Sequence, residues 1–541
     1  MHRSRIPFLL FLCAACSATF GQRDTRPNIL LIVADDLGYA DLGCYGGDIR
    51  TPTIDKLAGA GQLFTQFHTA PSCAPTRAML LTGNNNHVAG MGRQGGAAGP
   101  WEASQPGYEG YLSDRVVPFP QLLQAAGYHT YTAGKWHLGK KPEHSPKAKG
   151  FERSFSLIQG ASNHYNNIGL AMNDSVSLYS ADGMLADYPT GKYSTEFYTD
   201  KLIEFIKAGR DGKPFFAFAA YTSPHWPLQS PAANDRYRGH YDMGYDSLRR
   251  LRFESLKRAR IIPKNQKFPP RLESIRPWNT LTAEEKKIES RKMELYAAMV
   301  DNLDEQVGRL IDFLKKEGLY ESTLIIFMSD NGASAEDFYV QKPYSDFIAR
   351  RYDNRFENMG TATSFVSYGP QWGKAGAAPF SYYKGYATEG GTVAPLIIAG
   401  GQLGIRPGIR DFYVSVMDLA PTILEIAGVK YPGSLGTATT RPMLGMSMIS
   451  FLQGKANDLH DSTYVTGLWA GGNASFRRGR WKLVNTERPY REDLLRLYDV
   501  VDDPGETQDL SAARPATYRK MLDLWHQHLK KHDIRLAVPG K

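Results

Sequence analysis

Unbroken apolar runs alternate with amphipathic stretches along most of this chain, the pattern of strands buried on both faces of a parallel sheet with helices packed over them. The first run is Asn28-Ile29-Leu30-Leu31-Ile32-Val33-Ala34, residues 214–220, 323–328 and 395–399 repeat it, and 128–133 reads as a further strand. Helix-like segments lie between them. Thr51-Pro52 suits a capped first turn for residues 51–58, and Gly127 stops a helix over 119–126. Thr282-Ala283-Glu284-Glu285 has the spacing of a capping box. Met293, Tyr296, Val300, Leu303, Val307, Leu310 and Leu314 then recur every three or four residues up to Gly318, which predicts one long amphipathic helix on the sheet with an all-core stripe. Residues 235–279 are basic, contain prolines and carry few apolar residues at helical spacing, so a surface excursion or cleft rim is expected there.

Near residue 430 the pattern changes. Residues 474–484 and 495–500 read as two alternating strands of an antiparallel hairpin or meander, 502–506 as a turn and 516–531 as a closing helix. The expected fold is α/β. A mixed, mostly parallel sheet flanked by helices spans 22–429, and a smaller C-terminal antiparallel-sheet subdomain spans 430–541. At 541 residues the chain is long for one core, which supports the division.

Composition adds little beyond "globular": 42% hydrophobic and 22% charged. The formal net charge of +9 is spread along the chain, so it favours anionic partners without forming a nucleic-acid stripe. Arg3 and Arg5 ahead of an apolar run through Cys16 predict a secretory signal over residues 1–21, too short to span a membrane. Lipid anchoring at Cys16 is the weaker alternative, because Cys13 stands where such signals need an aliphatic residue. The expected protein is exported, periplasmic or secreted, and retains Cys44 and Cys73 with no disulfide.

The residues just after the apolar runs carry the chemistry. The first run ends in Asp35-Asp36, an acid pair that calls for a hard cation such as calcium or magnesium. The strand over 128–133 leads to Gly134-Lys135-Trp136-His137, with Lys135 and His137 on one side if strand geometry persists. The run 214–220 leads to Ser223-Pro224-His225-Trp226-Pro227, and 323–328 to Ser329-Asp330-Asn331-Gly332. In an open α/β sheet the carboxyl ends of parallel strands share the edge where ligands bind, so these groups are expected around one cleft. Cys73, in Pro71-Ser72-Cys73-Ala74-Pro75-Thr76-Arg77, sits at a helix start whose free amides and dipole favour an anion, with Arg77 one turn on and Gly83 at the exit.

Residues 73–83 resemble the signature of type I sulfatases, Cys-x-Pro-(Ser/Thr)-Arg with a downstream Leu-Thr-Gly, here Leu81-Thr82-Gly83. Asp35-Asp36, Gly134–His137, Pro224-His225 and Ser329–Gly332 match that family in order. Gly107–Leu112, Phe151–Ser156, Asn163-His164-Tyr165 and Arg351–Asn354 are similar to bacterial calcium-dependent arylsulfatases. The resemblance implies an alkaline-phosphatase-like fold and hydrolysis of aryl-type sulfate esters. It implies one calcium held by Asp35, Asp36, Cys73, Asp330 and Asn331, and conversion of Cys73 to formylglycine by a formylglycine-generating enzyme before folding. Arg77, Lys135, His137, His225 and Lys384 would surround the sulfate, Lys384 by its place before Glu389-Gly390-Gly391. The hydrated aldehyde would attack sulfur with Asp330 as base, His225 and Lys384 would serve the leaving group, and His137 would help expel sulfate. His164, Tyr165 and Trp226 are candidate pocket walls. Three alternatives stand beside this one: a phosphodiesterase or phosphonate monoester hydrolase on the same scaffold, a non-catalytic calcium-dependent binder of sulfated polysaccharide, and a hydrolase using the Cys73 thiolate directly.

Overall fold

The computed structural model describes residues 25–96, 98–170, 176–231, 235–435 and 438–536. The expected signal and Cys16 lie outside these residues. Ten strands build the main sheet: β1 (Asn28–Ala34), β2 (Gln62–His68), β3 (His129–Lys135), β4 (Arg153–Leu157), β5 (Tyr179–Ala181), β6 (Met184–Ala186), β7 (Phe215–Ala220), β8 (Thr323–Ser329), β9 (Val393–Ala399) and β10 (Gly408–Ser415). Their order is β10-β2-β9-β8-β1-β7-β3-β4-β5-β6. The centre, β8-β1-β7-β3-β4, is parallel. β9 runs antiparallel between β8 and β2, and β10 pairs parallel with β2. All residues of β1, β7, β8 and β9 are buried, which is why they read as continuous apolar runs.

Alternate residues of each strand feed two cores. Leu30, Ile32, Ala217, Ile325 and Phe327 pack with Leu202 and Phe205 of helix Ser194–Ala208 and with Val300, Leu303, Val307 and Leu310 of helix Ala283–Lys316. Ile29, Leu31, Val33, Phe216, Phe218 and Ile326 pack on the other face with Met79 and Leu80 of helix Cys73–Thr82 and with Leu419 and Ile423 of helix Leu419–Ile426. The capping box forms as read: Glu285 N donates to Thr282 Oγ1 at 3.2 Å and Thr282 N to Glu285 Oε2 at 2.8 Å.

Residues 235–279 are not a mere surface excursion. They hold helix Gly244–Arg258, whose Tyr245, Leu248, Phe253 and Leu256 enter the first core. Its stripe is masked in the sequence by Arg252, a core-facing guanidinium that bonds Asp48 Oδ1 at 2.7 Å through Nε and pairs also with Asp41.

After a small hairpin, β11 (Ser434–Leu435) with β12 (Ala438–Thr439), Met448, Phe451 and Leu452 still pack in the second core. A four-stranded antiparallel sheet comes next: β13 (Val465–Ala470), β14 (Asn473–Arg478), β15 (Trp481–Asn485) and β16 (Arg496–Asp499). The run 474–484 is therefore two strands, reversed at Gly479 with φ 56°. Trp525 and Met521 of helix Pro515–Lys531 cover this sheet against Trp469, Phe476 and Leu483. Among the described residues no helix is long and apolar enough to cross a membrane.

Candidate active site

β1, β2, β3, β7 and β8 all end at one edge of the sheet, and β9, being antiparallel, begins there. The edge therefore collects the residues after five strands and the loop before a sixth.

Asp35 and Asp36 leave β1 fully buried, and Asp36 takes φ 67°, a left-handed turn that separates the two side chains. Beyond β2 the helix Cys73–Thr82 starts on Cys73 itself and ends at Gly83, φ 63°. Cys73 Sγ lies 3.3 Å from Asp35 Oδ1 and 3.8 Å from Asp36 Oδ1. Arg77 grips Asp330 Oδ2 through Nε (3.0 Å) and Nη2 (2.8 Å), while its Nη1 donates to the Lys135 carbonyl at 2.9 Å. Lys135 Nζ bridges both Asp35 oxygens at 2.9 and 2.7 Å. Lys384, from the loop ahead of β9, donates to Asp36 Oδ2 at 2.7 Å and lies 3.8 Å from Glu336 Oε1. Asn331 Nδ2 donates to Asp36 Oδ1 at 2.7 Å, and Asp36 N to Asp330 Oδ1 at 3.3 Å.

Three buried carboxylates thus face three buried cations, a balance that makes such burial tolerable. Burial opposes ionisation of Asp36, but Lys384, His225 and Lys135 outweigh it and hold its carboxyl well below the usual range. Burial and the neighbouring Asp35 push Asp330 up to about 6 despite Arg77. Burial and Asp330 likewise push the Cys73 thiol well above its ordinary value.

The two histidines arrive differently. His225 Nδ1 donates to the Trp226 carbonyl at 2.7 Å, which leaves Nε2 facing Asp36 Oδ2 at 3.5 Å. Burial, with Lys384 and Lys135, lowers its pKa to about 3 against the pull of Asp36. His137 does not share a strand face with Lys135, because β3 stops at Lys135 and His137 takes φ 61°. Its ring abuts Gly160, its Nδ1 is buried with no hydrogen-bond partner among the described residues, and burial plus the charges of Lys135 and Arg77 hold its pKa well below the ordinary value.

All the residues singled out in the sequence for the cleft meet here except two of the candidate walls. His164 is buried and spends both ring nitrogens, on Ser194 Oγ at 2.7 Å and on the His225 carbonyl at 3.0 Å; Tyr165 donates its hydroxyl to the Ser230 carbonyl. They brace the His225 loop. Trp226 does stand beside the site, its ring centroid 4.3 Å from His225, 4.7 Å from Phe338 and 5.7 Å from Phe365. Sequence reasoning missed Glu336, and it missed Tyr296, whose hydroxyl donates to Asp41 Oδ2 at 2.6 Å and so ties down the turn after Asp36. A tyrosine in an otherwise aliphatic stripe was the signal.

Donor atoms of Asp35, Asp36, Cys73 and His225 lie within 4.8 Å of one another. Asn331 Oδ1 is buried beside them with no hydrogen-bond partner among the described residues. Such oxygen-rich donors fit a hard divalent cation. Asp330 and Asn331 adjoin the cluster through Asp36, and His225 enters it unforeseen.

Fold and site together define an α/β protein whose buried cations and carboxylates gather around one small side chain at the carboxyl edge of its sheet. The family pattern described as Sulfatase matches residues 27–429, and the chain belongs to that family. It is 40% identical over 517 residues to an uncharacterized sulfatase of Schizosaccharomyces pombe, covering 92% of this chain and 93% of the relative. It is 38% identical over 456 residues to an arylsulfatase of Klebsiella aerogenes, covering 83% and 96%. Among solved structures, Ps i-CgsB in complex with k-i-k-neocarrahexaose superposes with a TM-score of 0.64 at 24% identity, covering 93% of this chain and 92% of that one, a likeness of fold. The chain is a sulfuric ester hydrolase with the alkaline-phosphatase-like fold.

Proposed function

We propose that the protein hydrolyses aryl sulfate esters to a phenol and inorganic sulfate, with Cys73 converted to formylglycine and calcium bound at Asp35, Asp36, residue 73, Asp330 and Asn331. The observation that carries this reading is the convergence of Arg77, Lys135 and Lys384 on Asp330, Asp35 and Asp36, the last two of which stand against the side chain of residue 73. When present, the hydrated aldehyde supplies an oxygen nucleophile for sulfur and calcium supplies positive charge for the sulfate oxygens. The chain does the rest. The Cys73 thiol marks where the converted side chain stands, against Asp35 and Asp36. Lys135 and Lys384 are fixed donors for sulfate oxygens, pre-aimed by buried carboxylates so that little reorganisation remains at the moment of reaction. Arg77 orients Asp330, the base toward residue 73. His225, locked through Nδ1, presents Nε2 to the leaving oxygen, and His137 accepts the proton that frees sulfate.

The wall of Trp226, Phe338 and Phe365 beside His225 supports an aromatic leaving group. The Klebsiella relative's description as an arylsulfatase supports the same substrate. Export after removal of residues 1–21, and action of a formylglycine-generating enzyme on the unfolded chain, complete the proposal. The test is intact-mass analysis of the peptide bearing residue 73, followed by kinetics on aryl, alkyl and sugar sulfates and on phosphate diesters. Conversion with a preference for aryl sulfates is expected. A large preference for diesters, or a retained thiol without turnover in protein from the native host, overturns it.

A further inference from the structure

Five ionisable side chains are buried together away from the cleft, in the seam between the main sheet and the C-terminal sheet: His68 at the end of β2, Glu389, Arg477 on β14, Lys482 on β15 and Glu506. Each is less than 10% exposed. Lys482 Nζ donates to Glu389 Oε1 at 2.6 Å and lies 3.0 Å from Glu506 Oε1. Glu506 Oε2 accepts from the Glu389 amide at 2.7 Å, and His68 Nε2 lies 2.9 Å from Glu389 Oε2 and 3.0 Å from Arg477 Nη1. A seam that only had to hold two sheets together would be served at least as well by apolar side chains, since one ammonium shared by two buried carboxylates is hard to desolvate.

The cluster grips the far end of one loop. Glu389 lies five residues after Lys384, and the two glycines that follow it pack tightly against the carbonyls of the loop. A Cβ on Gly390 would fall 2.2 Å from the Ser381 carbonyl, and one on Gly391 2.0 Å from that of Tyr386. The near end is held as well. Asn473 Nδ2, from β14, donates to the Gly385 carbonyl at 2.6 Å, and Arg488 donates to the same oxygen. The Gly385 amide donates to Pro71 at 2.7 Å, two residues before Cys73, and the Lys384 amide to Ala333 at 3.0 Å.

We infer that Lys482, with Asn473, is a positioning residue for Lys384: the C-terminal sheet fixes, through Glu389 and Gly385, the loop that presents the Lys384 ammonium to the site. This rests on the reading of Lys384 as a sulfate-binding residue. A displacement of about 1 Å in such a donor costs on the order of 10²-fold in a preorganised site, so a partial loosening shows as about a tenfold effect.

The test compares Lys482→Met, Lys482→Arg, Asn473→Ala, Lys384→Ala and the double variant Lys384→Ala/Lys482→Met. The readouts are affinity for inorganic sulfate by calorimetry, KM and kcat on an aryl sulfate, and melting temperature. Lys482→Met is expected to weaken sulfate binding and raise KM about tenfold with a smaller change in kcat, Lys482→Arg to restore both within about twofold, and Lys482→Met to add less than about twofold once Lys384 is gone. A folded Lys482→Met with parental sulfate affinity, or an undiminished loss in the Lys384→Ala background, overturns the inference. Should Lys482→Met fail to fold, Asn473→Ala carries the same comparison with an expected loss of about threefold, and parental affinity there overturns it equally. If Lys384→Ala alone leaves sulfate binding unchanged, the reading of Lys384 falls and the inference with it.

Discussion

Gly160→Ala tests the site through a single methyl group. The new Cβ would stand 2.5 Å from His137 Cε1, 2.8 Å from Nε2 and 3.0 Å from Nδ1. Non-bonded carbons rest about 3.5–4.0 Å apart, so the ring must withdraw by about 1 Å. Gly160 does not use the left-handed region, so alanine brings no backbone strain of its own; His137, at φ 61° with a buried Nδ1, has little freedom to yield. Overpacking of this kind costs about 1–3 kcal/mol of stability. A 1 Å misplacement of a proton-transfer group costs on the order of 10²-fold in rate. The expected variant is folded, fully converted at residue 73, and slower in kcat by about two orders of magnitude on a chromogenic aryl sulfate. Adding Gly160→Ala to His137→Ala should change nothing further. A converted Gly160→Ala enzyme within about threefold of the parent would refute the role given to His137.

The same geometry sets other outcomes. Arg77→Met leaves Asp330 buried without its guanidinium, so a loss of about 3–5 kcal/mol in denaturant unfolding is expected along with loss of turnover. Calcium at about 100 times its dissociation constant should stabilise the parent by roughly 2.7 kcal/mol, read as a rise in melting temperature, and Asp36→Asn should abolish that rise. His87 and His528 are buried with neither ring nitrogen partnered among the described residues, and burial lowers each to about 3; burial lowers His164 to about 4. A histidine with a depressed folded pKa gives stability that is complete above its unfolded value near 6.5 and is lost as pH falls toward the folded one. Three such groups give a slope of up to about 4 kcal/mol per pH unit between roughly pH 5.5 and 4, and flat unfolding free energies across that window would refute it.

Most of the cleft is legible in the chain because of one regularity. Asp35, His225 and Asp330 each come after an apolar run and Lys135 closes a more mixed strand, and parallel strands deliver the residues at and beyond their carboxyl ends to a common edge. Lys384 escapes that logic: it precedes β9, whose antiparallel pairing brings an amino end to the site, and nothing in a hydrophobic pattern states strand direction. Only its place in the family motif points to it. Strand alternation is the wrong device for His137, since a left-handed residue turns it inward. The helix Gly244–Arg258 is hidden by Arg252, because a guanidinium paired with Asp41 and Asp48 occupies a core position that a hydrophobicity count scores as polar. Lys482 and Glu506 look like ordinary surface charges in the sequence; their burial is decided by how two sheets meet, a fact of tertiary packing.

The sealing of residue 73 sets a deadline. Cys73 is 0% exposed, and the bond that closes over its helix, Arg77 to Asp330, joins positions 253 residues apart, while Asp36 and Lys384 are separated by 348. A ribosome must deliver nearly three quarters of the polypeptide before those walls exist. Until then the thiol is reachable by another protein; afterwards it is not. On the proposed conversion of Cys73, yield of active enzyme in a foreign host should therefore track the race between that oxidation and completion of β8 and the loop before β9, so slowing translation late in the message is a lever on activity that leaves every side chain as it is.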